Sequence, residues 1–342
     1  MTARRVSPEG RRTGVRRRRA AAAALLLPAV ALAGCSSEGG RRPAADTGEG
    51  GGQVAQTEPM KIAMVTHAAP GDTFWDTIRK GAEEASAKDN VEFLYGSDPE
   101  GGRQAQLVQQ YIDQGVDGIA VTLAKPDALR DVLGKAEEAG IPVVSLNAGE
   151  GEFEDLGAFA HFGSDEQLAG ETAGERLKEE GLQHPICVIQ EQGHVGLEAR
   201  CAGVKEALPE TEILYVQGTD MTQVSSTATA KLQTSAEADA IIGLGAPITM
   251  TLLEAKESAG SDVTVASFDM NGDLAQAIVD GDVLFTIDQQ PWLQGYLSVD
   301  SLWQNHRGAF KIGGGQPTLT GPAVVDSTNA EQVLQYAQEG VR

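Results

Sequence analysis

Polar and aromatic side chains stand directly after the predicted strands of this sequence. They are Asp72, Phe74 and Trp75 after the first strand, Asn147 at the end of the fourth, Gln192 after ICVIQE (186–191), and Asp269 at the end of VTVASFD (263–269). Parallel sheets bind ligands beyond the carboxyl ends of their strands, so we expect these positions to converge on one cleft. Two alternatives stay open: the aromatic rings pack the first helix, and Asp269 caps the helix that follows it.

Two segments resemble loops that bind nucleotides or calcium, but both depart from the required pattern. Gly243-Leu-Gly245 has Ile248 at the third glycine position of a dinucleotide loop. The segment 269–273 opens like a calcium loop, but Leu274 takes the place of the glycine that the turn requires. We therefore predict no nucleotide cofactor and no EF-hand.

The sequence also lacks the spacings that zinc sites and common hydrolases use. HExxH, GxSxG and CxxC do not occur, and the histidines show no close pair suited to zinc. We predict that the protein holds no metal, uses no cofactor and is not an enzyme. An acid pair formed by Asp72 and Asp269 across the cleft is the enzymatic alternative.

Short β-rich segments alternate with amphipathic helical segments from Lys61 onward. The first series contains KIAMVT, VEFLYG, GIAVTL and PVVSLN, and the second contains ICVIQE, EILYVQ, AIIGLG, VTVASFD and VLFTID. Continuous apolar strands separated by helices are typical of parallel sheets that are covered on both faces. A single core rarely holds this many units, so the pattern predicts an α/β fold of two similar doubly wound lobes.

The chain is strongly acidic, with 27 Lys and Arg against 49 Asp and Glu and a net charge of −22. Residues 1–34 contain eight Arg and one acid, so the segment from Cys35 onward carries a net charge of −29. Such a surface repels phosphate backbones. We predict no nucleic-acid partner and a neutral or cationic ligand.

The N-terminal segment resembles the export signal of bacterial lipoproteins. The Arg-rich residues 4–19 precede an apolar run at 20–33, and Leu32-Ala33-Gly34-Cys35 resembles a lipobox, whose cysteine receives the lipid. We expect residues 1–34 to be a signal peptide, the Gly-rich residues 35–59 to be a flexible tether, and Cys35 to anchor the protein to the outer face of the cell membrane. An ordinary secreted protein is the alternative.

Two further cysteines, Cys187 and Cys201, belong to the part that this signal would export. Oxidation is permitted outside the cytoplasm, so a disulfide between them is possible. Two buried thiols, one on a strand and one on a helix, fit the sequence equally well, because geometry decides between the two states.

Several segments between about residues 60 and 325 resemble, in this order, the periplasmic sugar-binding proteins of the ribose-binding type, which serve ABC transporters. They are KIAMVTHAAPGDTFWDTIRKGAEEA, QGVDGIAV, AGIPVVSLN, GSDEQLAG, the helix with Arg200 and Gly203, VASFDMNGDLAQAIVDGDVLFTIDQQPWLQG, and LTGP. The resemblance implies a type I periplasmic binding fold whose lobes close on a sugar like a hinged trap. Three crossings of the chain would join an N-terminal lobe (60–162 and 289–322) to a C-terminal lobe (163–288 and 323–342).

The resemblance also implies a ligand site, position by position. Asp72 would be a polar contact, and Phe74 and Trp75 would be the aromatic pair that sandwiches the sugar ring. Arg200 would donate hydrogen bonds, Asp269 would accept them from two hydroxyls, and Gln289 would do both at the hinge.

Three positions depart from ribose-binding relatives. Asn147-Ala148 stands where those proteins have Asp-Arg, Gly245 where they have Asn, and Met221 where an aromatic residue is common. A different pentose, a hexose or a polyol is therefore at least as compatible with the site as ribose.

These features together predict a lipid-anchored, monomeric receptor that captures a neutral monosaccharide or polyol and presents it to the permease of an ABC transporter. A sensory receptor that signals to a membrane kinase or chemoreceptor is the alternative, because the same pocket would serve both. A sugar-responsive repressor shares this core, but it would need a helix-turn-helix where this chain has its signal segment.

Overall fold

The computed structural model describes residues 54–69 and 72–342, which contain twelve β-strands and ten α-helices. The predicted signal peptide, Cys35 and most of the predicted tether lie outside the described residues. None of the helices in the described part is long and apolar enough to cross a membrane.

Six strands form a first sheet in the spatial order β11-β5-β4-β3-β1-β2. All neighbours in this sheet run parallel. The strands are β1 (Met60–Thr66), β2 (Val91–Ser97), β3 (Gly118–Thr122), β4 (Val143–Asn147), β5 (His161–Ser164) and β11 (Thr318–Gly321).

Six further strands form a second sheet in the order β12-β10-β9-β8-β6-β7. Its neighbours are parallel except for the antiparallel pair of β10 and β12. The strands are β6 (Pro185–Ile189), β7 (Glu212–Tyr215), β8 (Ala240–Gly243), β9 (Thr264–Phe268), β10 (Phe285–Asp288) and β12 (Ala323–Asp326).

Helices cover both faces of each sheet, and the described residues form four apolar clusters, two for each sheet. The first sheet carries α1 (Thr73–Asp89), α2 (Gly101–Asp113), α3 (Pro126–Glu138) and α9 (Pro291–Gly308). The second carries α4 (Glu166–Glu179), α5 (Val195–Ala207), α6 (Met221–Thr234), α7 (Ala246–Ala259), α8 (Gly272–Asp280) and α10 (Ala330–Gln338). The predicted α/β fold with two doubly wound lobes is confirmed.

The chain passes between the lobes at three places: after β5, after β10, and between β11 and β12. Helix α9 therefore returns to the first lobe, where it packs along α1 and against β4. The expected boundary after residue 162 falls inside β5, which ends at Ser164.

Helix α5 is held close to α4 by a glycine contact. A Cβ atom added to Gly203 would lie 2.2 Å from the carbonyl oxygen of Gln167 and 2.6 Å from the backbone nitrogen of Glu171, so no larger residue fits without a shift of the helices. The disulfide between Cys187 and Cys201, with their Cα atoms 5.8 Å apart, ties the same helix to β6. These two contacts fix the helix that carries Arg200.

Candidate functional site

A cavity of about 870 Å³ lies between the lobes, at the carboxyl ends of strands from both sheets. Its size is in the range of small-molecule sites. The ten residues that the sequence places in a ligand site all line it: Asp72, Phe74, Trp75, Asn147, Gln192, Arg200, Met221, Gly245, Asp269 and Gln289. Separate elements thus bring them to one cleft.

Arg200 is buried in the second lobe and points into this cavity. Its Nε and Nη2 donate to the two carboxylate oxygens of Glu166, at 2.5 Å and 3.0 Å. Its Nη1 donates to Leu244 O at 3.2 Å and lies 3.5 Å from Asp269 Oδ2. The guanidinium also lies over the ring of Phe268, with 4.9 Å between its central carbon and the ring centroid. Its fork of donors is therefore fixed before a ligand binds.

A chain of amides continues from Asp269 to the first lobe. Gln289 Nε2 donates to Asp269 Oδ1 at 2.5 Å, and Gln289 Oε1 accepts from Asn147 Nδ2 at 3.0 Å. Gln294 at the start of α9 also donates to Gln289 Oε1, at 2.7 Å. Gln289 follows β10, where the chain leaves the second lobe, so this network links both lobes through one crossing segment.

Asn147 and Asp269 both adopt a left-handed backbone, with φ values of 66° and 62°. Asn and Asp are the residues besides glycine that tolerate this conformation best. The sequence alternative in which Asp269 caps the next helix is wrong, because the side chain of Asn271 accepts from Leu274 N and caps α8. Asp269 is therefore free of a capping role and faces the cavity.

The first lobe contributes an acid and two aromatic rings from the start of α1. Asp72 caps this helix by accepting from Phe74 N at 3.1 Å. Trp75 is buried among apolar side chains of the first lobe, and Phe74 packs against the same cluster. Both rings also line the cavity, so each of them packs the first lobe and faces the cleft at the same time. The two rings are perpendicular, at 87° with centroids 5.2 Å apart, so they cannot sandwich one ligand ring between them. One ring face at most is available to a flat ligand.

Three predicted residues mark the edges of the cavity. Gln192 and Met221 are exposed and lie at its rim. Gly245 has an extended backbone, and an added Cβ would meet only Gln190 Nε2 at 3.4 Å and Asp269 Oδ2 at 4.0 Å. The missing side chain therefore leaves open space beside Asp269.

Several site residues were missed by the sequence reasoning. Glu166 holds Arg200, and Gln190 lines the cavity with an Oε1 atom that is buried and has no hydrogen-bond partner. Such an atom is a ready acceptor for a ligand hydroxyl. Gln190 directly follows β6, so its position at a strand end, the criterion that selected Gln192, would also have identified it. Glu166 begins α4, and nothing in the sequence marks it as a site residue.

Burial and charge together set the protonation of the site. Burial lowers the pKa of Arg200, but the carboxylates of Asp269 and Glu166 outweigh this effect and raise it. Burial raises the pKa of Asp72 to about 6, against a hydrogen bond from Phe74 N that lowers it, and repulsion by Asp269 adds to the increase. Five carboxylates line the cavity against two cations, Lys125 and Arg200, which disfavours an anionic ligand.

His67, Glu191 and His194 bring atoms that could ligate a metal within 4.8 Å of one another, a grouping that the spacing of the histidines in the sequence does not show. The pair of His67 and His194 is not visible in the sequence, because the two residues are 127 positions apart. The hydrogen bonds do not fit a metal: Nδ1 of His194 accepts from the N–H groups of Gly196 and Leu197, at 3.1 Å and 3.3 Å. The ring proton inferred from these partners lies on Nε2, the atom that a metal would need.

A family model described as "Periplasmic binding protein domain" matches residues 62–309. Among curated proteins, the ribose import binding protein RbsB of Bacillus subtilis is 26% identical over 237 residues, which cover 67% of this chain and 76% of that protein.

Two solved structures extend this similarity. A carbohydrate transporter from Acidothermus cellulolyticus, in complex with myo-inositol, is 45% identical, has a TM-score of 0.82, and is matched over 83% of this chain and 100% of that chain. An ABC transporter solute-binding protein from Burkholderia graminis, in complex with D-arabinose, is 26% identical with a TM-score of 0.70, over 79% of this chain and 96% of that chain.

The resemblance seen in the sequence is therefore confirmed by the fold, the matched family model and the relatives. These relatives bind sugars or polyols and serve transport; none is described as an enzyme. The chain belongs to the periplasmic binding protein domain family, among the sugar-binding proteins of the ribose-binding type.

Proposed function

We propose that this protein captures a cyclic polyol or a monosaccharide in the cleft between its lobes and delivers it to the permease of an ABC transporter. The first candidate ligand is myo-inositol. The observation that carries the proposal is the cavity between the lobes, where Arg200, Asp269 and Gln289 present fixed donors and acceptors.

The chemistry of this cavity suits a ring that carries many hydroxyl groups. Gln190 Oε1 and the carboxylate of Asp72 accept hydrogen bonds, Arg200 donates them, and one ring face of the Phe74 and Trp75 pair buries C–H surface. The excess of carboxylates argues against sugar phosphates. The similarity to the Acidothermus cellulolyticus protein supports inositol over an aldose.

Thermal melts of a soluble form that begins at Ser36 test the binding step. A ligand present at about 1,000 times its dissociation constant stabilises a protein by about 4 kcal/mol, which is a melting shift of several degrees. We expect a selective shift with myo-inositol or a related polyol, weaker shifts with pentoses and hexoses, and none with inositol phosphate. A panel in which no polyol or sugar changes the melt would overturn this proposal.

Delivery to a transporter needs a cellular measurement. Deletion of the gene should abolish high-affinity uptake of the labelled ligand, and the wild-type gene should restore it. Binding in the melt assay with unchanged uptake would instead favour the sensory receptor.

We further propose that the mature protein is a monomeric lipoprotein anchored through Cys35, with residues 1–34 removed and residues 35–59 as a tether. The lipobox-like Leu32-Ala33-Gly34-Cys35 supports this. Cys35→Ser should move the protein from the membrane fraction to the soluble extracytoplasmic fraction. Retention of the variant in the membrane fraction would contradict the anchor.

A further inference from the structure

A pair of histidines joins the two lobes at one rim of the cleft. His67 follows β1 in the first lobe, and His194 caps α5 in the second. Their Nε2 atoms are 2.9 Å apart, and their ring centroids are 4.7 Å apart at an angle of 74°. Both side chains are buried, at 6% exposure each. This contact exists only while the lobes are close together.

The partners of His194 Nδ1 determine where the protons of both rings lie. Nδ1 of His194 accepts from the backbone N–H groups at the start of α5, so the proton of this ring is on Nε2 and is donated to His67. Because Nε2 of His67 accepts from His194, the proton of His67 lies on Nδ1, which is 2.7 Å from Thr122 Oγ1, a hydroxyl oxygen that can accept it. Each ring therefore carries one proton, and every ring nitrogen has at least one suitable partner.

A second proton on either ring would break this arrangement. On His67 it would place two N–H groups against each other across the rim. On His194 it would place an N–H on Nδ1, against the backbone N–H groups of Gly196 and Leu197. The contact is therefore satisfied only when both rings are neutral.

Most of the neighbouring groups also lower the pKa of the two histidines and so favour their neutral forms. Lys125 and Arg200 are cations that lower the pKa of the pair, and Glu191 is a nearby carboxylate. The ring of Trp75 packs against His67 at 77°, with the centroids 4.7 Å apart. Glu191 is itself bound to Lys125, with Oε1 2.8 Å from Nζ, and this ion pair also joins the two lobes. Burial is the largest cause and lowers the pKa of His194 to about 3, while that of His67 falls well below its ordinary value.

We propose that the hydrogen bond between His67 and His194 is a pH-sensitive latch, which holds the lobes together near neutral pH and weakens ligand retention in acid. This inference rests on the proposed function, because retention presumes a ligand in the cleft. In the open form both rings meet water and return to an ordinary pKa near 6.5. Closure is therefore fully favoured above that pH, and it weakens about tenfold for each ring at pH 5.5.

Asp72 has the opposite effect on lobe closure, because acid favours the closed form at this residue. Its pKa is raised to about 6 in the cleft, so acid relieves the cost of burying its charge. A test must therefore compare proteins that all retain Asp72.

The test measures the dissociation constant of myo-inositol at pH 7.5 and pH 5.5 for the wild type, His194→Asn and His306→Asn. Asn retains an acceptor for the helix cap but does not titrate. His306 is exposed on α9, outside the cleft, and serves as the matched control. We expect the acid-induced increase in the dissociation constant to be about tenfold smaller in His194→Asn than in the other two proteins. Equal increases in all three would overturn the latch.

A ligand-independent measurement separates this result from the proposed function. Nitrogen NMR of the imidazole rings reports their tautomers and pKa values in the closed form, which is held by a bound ligand or, if no polyol or sugar binds, by a chemical cross-link between the lobes. We expect Nδ1-protonated His67 and Nε2-protonated His194, both neutral at pH 5.5. Titration of both rings near pH 6.5 in this closed form would overturn the latch, whereas absence of both polyol and sugar binding at pH 7.5 would overturn only the proposed function.

Discussion

Arg200 and Glu166 form a bidentate ion pair at the side of the cleft, and both side chains are less than a tenth exposed. The pair orients the guanidinium so that its remaining nitrogen, Nη1, lies near Leu244 O and Asp269. Removal of Arg200 would leave the buried charge of Glu166 without its partner, so we expect it to affect the stability of the fold as well as binding.

We predict that Arg200→Ala abolishes ligand binding and also lowers the free energy of unfolding by about 3–5 kcal/mol, since an uncompensated carboxylate stays buried. The double variant Arg200→Met/Glu166→Leu should recover most of this stability without recovering binding. Urea denaturation and calorimetric titration measure the two effects. A double variant as unstable as Arg200→Ala would contradict the pairing.

Asp269→Asn should weaken ligand binding by about 10- to 150-fold while the fold stays intact, because a hydrogen bond to a charged group contributes about 1.5–3 kcal/mol. Asn tolerates the left-handed backbone at this position. Asp273→Asn, exposed in the first turn of α8, is the matched control and should bind normally. Equal affinities of the two variants, measured by calorimetry, would remove Asp269 from the site.

Asp72→Asn should raise the melting temperature of the ligand-free protein by a few degrees at pH 8, and by nothing at pH 3.5. The pKa of Asp72 is raised to about 6, so its charge destabilises the native state above pH 6, and this cost disappears as the pH falls below the unfolded value of 3.8. The amide retains the cap on Phe74 N. A difference in melting temperature that does not change with pH would contradict the prediction that burial raises the pKa of Asp72.

Loss of the disulfide between Cys187 and Cys201 should lower the free energy of unfolding by about 3 kcal/mol, because the bond closes a loop in the unfolded chain between cysteines that are 14 positions apart. A reductant should destabilise the wild type in urea but leave Cys187→Ala/Cys201→Ala unchanged. Two free thiols in the mass spectrum of the exported protein would show that the bond does not form.

Gly203→Ala should destabilise the protein by about 1–3 kcal/mol and weaken ligand binding, because the added methyl group would press on the backbone of α4 and displace the helix that carries Arg200. Gly134→Ala on α3 is the control, since its Cβ would meet nothing within 4 Å. This control should stabilise the protein by about 0.5–1 kcal/mol, as expected for an interior helical position. Thermal melts that rank the two variants in the reverse order would contradict the close helix contact.

The alternation of short apolar strands with amphipathic helices was enough to predict two doubly wound lobes, because the period of a pattern is a local property of the chain. The strand ends then located Asp72, Asn147 and Asp269 at one cleft, since parallel strands of a sheet share a carboxyl edge. Arg200 and Gln289 came from the resemblance to a family, and the structure places both in the same cavity.

Other features depended on how distant elements are oriented in space. Periodicity does not encode the perpendicular rings of Phe74 and Trp75, which follow from side-chain rotamers. The bond between Cys187 and Cys201 could not be predicted without the distance between β6 and α5. The contact of His67 with His194 could not be predicted without the position of one lobe against the other, because no local pattern relates these two residues.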